Sequence, residues 1–131
     1  MADKTIMLML VVIGIIHLLP VSGVAGGERL SLLYGVDVSE SNLSVLMRHR
    51  AVLFGLLGGY FIAAAFVADL RVSAFVMAFV SIASFFYLAW SAPELNSQVR
   101  RIVIADVVAA VALAIAVALH ASGYRTSLPP G

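Results

Sequence analysis

The chain contains no cysteine and very little charge. Only 11% of its 131 residues are Asp, Glu, Lys or Arg, against about 25% in a typical soluble domain. Without cysteine, disulfides, thiolate metal sites and thiol redox chemistry are excluded, although the compartment stays open. A net charge of +1 with no basic stripe argues against a nucleic-acid partner. The sequence also lacks a Gly-rich phosphate loop, a His-Glu-x-x-His pair and a Gly-x-Ser-x-Gly elbow. Nothing in these motifs asks for a cofactor, and too little polar chain remains to build a soluble nucleotide fold.

What is present is apolar. Hydrophobic residues make up 63% of the chain, and the mean hydropathy is +1.08. A bilayer-spanning helix needs about 20 mainly apolar residues. Four runs approach that length, at about 5–21, 45–68, 72–91 and 102–121. Asp69-Leu70-Arg71 makes a tight turn between the second and third runs, and Ser91-Ala92-Pro93-Glu94 ends the third. Short connections imply antiparallel neighbours. The expected fold is therefore all-α: one domain, 1–131, forming an integral membrane antiparallel four-helix bundle with a long first loop.

Local signals refine this plan. Lys4, the run Ile6 to Leu19 and then Gly23-Val24-Ala25 have the form of a signal peptide. Further spans follow instead of a soluble domain, so the run reads as a retained first helix. Pro20 removes a donor and opposes the Ile16 carbonyl, which predicts a kink or stop. The stretch Gly27 to Val36 reads either as an amphipathic helix in the interface plane or as a partly buried loop capping the bundle. Asp37, Ser39, Ser41 and Asn42 are candidate N-caps for the second helix. Ala51, Gly55, Gly59 and Ala63 recur every four residues, a small-residue stripe for packing within the bundle or against a second copy. Arg29, Arg48, Arg50, Arg100 and Arg101 outweigh Lys4, Arg71 and Arg125. The positive-inside rule then places loops one and three in the cytoplasm and both termini outside.

Most ionisable groups gather at one end. His17 lies late in the first run, Arg48, His49 and Arg50 open the second, Glu94 follows the third, and Arg100, Arg101 and Asp106 open the fourth. Charge near hydrocarbon is costly, which makes an ionisable group inside a span a candidate functional residue. Asp106 has Ile102, Val103, Ala109 and Ala110 as its helical neighbours, so its partner must come from another helix, water or a proton. His17, Arg50 and Asp106 fall in one layer by helical rise. In that layer His17 and Asp106 are candidate catalytic groups, with Arg48, Arg50, Tyr87 and Trp90 as candidate substrate contacts. Competing readings are structural. The arginines reach headgroups by snorkelling, His17 bonds a carbonyl freed by Pro20, one interhelical ion pair satisfies Asp106, and Tyr87 and Trp90 join the interfacial aromatic belt. His120, Tyr124 and Arg125 at the far end read as interfacial anchors. A metal site would require His17, His49 and Glu94 or Asp106 to meet, and no ligand spacing in the sequence supports one.

Leu33-Tyr34-Gly35-Val36, the run Arg48 to Gly59, and Arg101 with Asp106 give the chain its likeness to known proteins. It resembles small bacterial four-helix membrane proteins of the DoxX-like kind and related uncharacterised families. That resemblance implies a multi-pass protein of the bacterial inner membrane and transfers no catalytic residue. Three functions follow in order. The first is a non-catalytic accessory or scaffold subunit, whose partners are the lipid bilayer and another membrane protein or a second copy. The second is a membrane enzyme acting on a lipid-like substrate, with Arg48 or Arg50 holding it and His17 with Asp106 moving a proton. A small transporter ranks last, because the midplane of spans two to four carries no ionisable residue.

Overall fold

A computed structural model describes residues 1–126 of the chain, with side chains as far as Gly123. It contains five α-helices: α1 (Ala2–Leu18), α2 (Gly27–Tyr34), α3 (Ser41–Phe66), α4 (Arg71–Ser91) and α5 (Ser97–Thr126). Four segments are long and apolar enough to cross a bilayer: Ala2–Ala25, Ser41–Phe66, Ala68–Ser91 and Ser97–Gly123. The all-α, four-span architecture expected from composition is what the chain adopts.

The first span is longer than its apolar run suggested. The α-helix stops at Leu18, as Pro20 predicts, and the chain continues the span as a 3₁₀ segment, Leu19–Ala25. Proline is tolerated at the first positions of such a segment, where its missing N–H has no helical partner to lose. The Ile16 carbonyl is taken by the Leu19 N–H. It is therefore not free for His17, as the sequence had suggested.

Each long helix packs against two neighbours. α1 lies against α3 and α5, and α4 closes the ring by touching the same two. α1 supplies the centre, with Leu10 and Ile13 wholly buried beside Phe61, Ala64, Ala74 and Ala116. Lipid offers no hydrophobic contrast between helices, so close approach and packing hold such a bundle together. α1 and α3 approach closely at Gly14 and Gly58. A Cβ on Gly14 would stand 2.9 Å from the Gly58 carbonyl oxygen, and one on Gly58 would stand 2.8 Å from that of Gly14.

This corrects the small-residue stripe. Ala51 is buried, but Gly59 and Ala63 are exposed, and a Cβ on Gly59 would meet nothing. The buried positions of α3 are Ala51, Gly58, Phe61, Ala64 and Ala65. At 3.6 residues per turn, steps of four drift about 40° each, so a strict four-residue stripe winds off the contact face. Alternating steps of three and four stay on it.

The segment between the first two spans is both a helix and a cap. α2 buries Leu30 and Tyr34 in a second small core with Val38, against Leu33, Met47 and Ile102. Gly35 ends it in the left-handed conformation, φ 65°, where glycine carries no Cβ penalty. Asn96 then ties α2 to α5. Its Nδ2 donates to the Tyr34 carbonyl at 2.8 Å, while its Oδ1 accepts from the Val99 N–H at 2.8 Å.

The N-cap of α3 is Glu40, not any of the four residues proposed from sequence. Its carboxylate accepts from the N–H groups of Asn42 at 3.0 Å and Leu43 at 2.8 Å. Those two bonds hold its pKa below the ordinary value. Asp37 instead closes the preceding turn, accepting from the Ser39 N–H at 2.9 Å. Its pKa is likewise lowered, first by the Ser39 side chain and then by that N–H.

Candidate functional site

At the end where α1 finishes and α3 and α5 begin, the bundle opens into a cavity of about 270 Å³. That volume lies just under the usual range of small-ligand pockets, about 300–1,000 Å³. Its wall is built from Ile16, His17, Leu19 and Pro20 of the first span, Leu32, Leu33 and Tyr34 of α2, Arg50 and Phe54 of α3, Phe85 of α4, and Gln98, Arg101, Ile102, Ala105 and Asp106 of α5. His17, Arg50 and Asp106 therefore meet on one space, as their helical depths had implied.

Arg50 is held by Tyr34 of α2 and Phe54 of α3. Its Nη1 donates to the Tyr34 hydroxyl at 2.9 Å. The guanidinium carbon lies 5.3 Å from the Tyr34 ring centroid and 4.8 Å from that of Phe54. Two aromatic faces at that range stabilise a cation that hydrocarbon would not. Phe54 lies one helical turn beyond Arg50, so the same α3 face presents both. The remaining donors of the five-donor guanidinium have no protein partner among the described residues.

Asp106 is half-buried and makes no hydrogen bond to a described residue. Arg50 lines the same cavity, yet no contact within 4.0 Å joins it to Asp106. The expected interhelical ion pair at Asp106 is thus not formed. The cavity lies where that pair would close.

His17 is fully engaged. Nδ1 lies 2.9 Å from the Ile13 carbonyl and Nε2 lies 3.1 Å from the Ser81 hydroxyl. A carbonyl only accepts, so Nδ1 carries the proton and, in the neutral ring, Ser81 donates to Nε2. The ring stacks on Phe54 at 5.6 Å and meets Phe61 edge-on at 4.9 Å. With 2% exposure, His17 walls the cavity and links α1 to α4. Ser81 and His17 have the spacing of a nucleophile and its base, but Ser81 is not part of the cavity wall.

The other candidates stand apart. Tyr87 and Trp90 do not line the cavity and are 75% and 92% exposed, a placement that suits the interfacial belt. Arg48 turns away from the cavity, its Nε donating to the Val24 carbonyl at 3.0 Å. His49, Glu94 and Arg100 are exposed. No three His, Asp or Glu residues come together as metal ligands among the described residues. Sequence reasoning assigned no role at this site to Tyr34, Phe54, Phe85 or Gln98, and it gave Arg101 to the headgroups. Phe54 was legible from its spacing to Arg50, whereas Gln98 carried no signal.

The opposite end is built differently. Arg71, 9% exposed, pairs with Asp3 at 2.6 Å. The His120 ring lies edge-on to Phe75 at 5.5 Å, so His120 packs into the bundle end. The anchoring expected of Tyr124 and Arg125 falls outside the described side chains.

Compared with family models, curated proteins and solved structures, the chain matches none.

Proposed function

We propose that this multi-pass membrane protein binds the polar part of a small, lipid-like molecule in the cavity between α1, α3 and α5. One observation carries the reading. Arg50 and Asp106, residues of opposite sign, line the same space and make no contact within 4.0 Å of each other. Charges near hydrocarbon are held by partners, and a ligand carrying an acceptor for Arg50 and a donor for Asp106 would complete both. Binding is favoured over proton transfer because both ring nitrogens of His17 are already engaged.

Affiliation with DoxX-like proteins, residence in the bacterial inner membrane, and an orientation with both termini outside belong to the same proposal. They rest on the sequence motifs and on the arginine distribution. The accessory-subunit reading keeps one support of its own. Gly59 and Ala63 leave a bare, small-residue patch on the outer side of α3, the kind of surface on which helices dock.

The test is extraction of protein purified in mild detergent, followed by mass spectrometry of the small molecules it carries. The wild type should release one amphipathic species near one equivalent, and folded Arg50→Gln and Asp106→Asn proteins should release little. Equal release from all three would overturn the reading.

A further inference from the structure

Beyond the cavity, the α4–α5 seam holds a second recess that carries no ionisable group. Phe79, Ile82 and Phe86 form one wall, and Ala110, Ala114 and Val117 form the other. Phe79 is 64% and Val117 42% exposed, so the recess opens sideways toward the bilayer. No residue lines both spaces, but they are neighbours along α4 and α5. Ala110 stands one turn beyond Asp106 on α5, and Ile82 and Phe86 flank Phe85 on α4. From Asp106 to Val117 the seam runs about 16 Å at a rise of about 1.5 Å per residue.

The cavity wall also has a charge bias. Arg50 and Arg101 face one aspartate, Asp106, which leaves one positive charge in excess. An arginine fork suits a carboxylate or phosphate oxygen. A lone carboxylate accepts from a hydroxyl.

We infer that the ligand is a single-chain anionic lipid of the monoacyl glycerophosphate class, its head in the cavity and its chain leaving through the α4–α5 seam. This rests on the cavity being a ligand site. The phosphate takes the free donors of Arg50, with Arg101 at the same wall, and the glycerol hydroxyl donates to Asp106. A head drawn into the bundle needs a lateral exit for its chain, and the small side chains of Ala110 and Ala114 leave that exit open. Bulk lipid already surrounds the chain with hydrocarbon, so the seam contributes shape and access while the head contributes selectivity.

The test uses the full chain in nanodiscs of zwitterionic lipid and two probes. Monopalmitoyl glycerophosphate is read by native mass spectrometry, and glycerol phosphate, the head alone, by equilibrium dialysis. Ala114→Phe and, independently, Ala83→Leu fill the seam from opposite walls. Val107→Phe, on an exposed position outside both recesses, is the control. The wild type should bind both probes, and Arg50→Gln should lose both. The two seam variants should keep glycerol phosphate and bind the lipid about tenfold more weakly, a change of about 1.4 kcal/mol. Wild-type lipid affinity in both seam variants would overturn the exit route and leave the head site standing. Binding of neither probe by the wild type would overturn the ligand class. Loss of the extracted ligand's dependence on Arg50 would overturn the underlying reading of the cavity instead.

Discussion

The two ends of the bundle solve the same problem in opposite ways. Where α1 begins and α4 starts, the charges meet, with Asp3 at 2.6 Å from Arg71. At the other end Arg50 and Asp106 stand on walls of one cavity and make no such contact. The difference does not arise from a shortage of partners, since both signs are present at each end. It arises from the space between them. At the paired end the two charges meet within the protein, although Arg71 Nε stays buried without a partner; at the open end, on the function proposed above, a ligand completes them.

The bundle beneath both ends depends on the Gly14–Gly58 crossing, and breaking it should have the largest effect. Gly58→Leu places side-chain atoms where the Gly14 carbonyl already lies 2.8 Å from a Cβ position. Overpacking of a yielding core costs about 1–3 kcal/mol, and backbone on both sides yields less. Thermal melting in detergent should show loss of the folded protein, with both ends lost together. Gly59→Leu on the same helix faces open space and should melt near the wild type, which separates close packing from helix propensity.

Ligand retention sharpens the contrast next. Arg50→Gln should lower retention of the extracted molecule at least tenfold while shifting the melting temperature little, because Arg50 bonds only Tyr34 within the protein. Ser81→Ala should act the other way. It leaves Nε2 of His17 without its donor at 2% exposure, a buried unsatisfied group costing about 1–3 kcal/mol. Melting should fall, and retention per folded molecule should hold. At the paired end, Asp3→Asn should lower the melting temperature modestly, since Asp3 is 84% exposed while Arg71 is buried, and leave retention unchanged.

The smallest effect lies outside the membrane. Glu40 and Asp37 have lowered pKa values because backbone and side-chain donors favour their ionised forms. A depressed carboxylate contributes stability that is present above its unfolded pKa and is lost as pH falls through the folded one. Hydrogen exchange at the Asn42 and Leu43 amides should therefore speed up as pH drops below the ordinary carboxylate range, after correction for intrinsic rates. Glu40→Gln should remove most of that pH dependence.

Much of this was legible in the chain. The four spans, the turn at Asp69-Leu70-Arg71 and the convergence of His17, Arg50 and Asp106 follow from run length and helical rise alone. What sequence could not supply was contact across helices. Counting charges made an Asp106–arginine pair look natural, but whether two walls touch depends on the aromatic rings that hold Arg50 back. The Asp3–Arg71 pair joins residues 68 apart, and no local pattern connects them. Glu40 was passed over as an N-cap because shorter side chains normally fill that role. Its bidentate reach to Asn42 and Leu43 became visible only with the backbone in place.

The central claim is that Asp106 is completed by a ligand and not by the fold. The most direct test is the melting temperature of Asp106→Asn in detergent after the bound small molecule has been stripped. The expected result is a melting temperature equal to or above that of stripped wild type, since the substitution removes a charge without a direct protein partner. A fall as large as that of Asp3→Asn would mean that Asp106 is a structural partner within the bundle, and the account of the open end would be wrong.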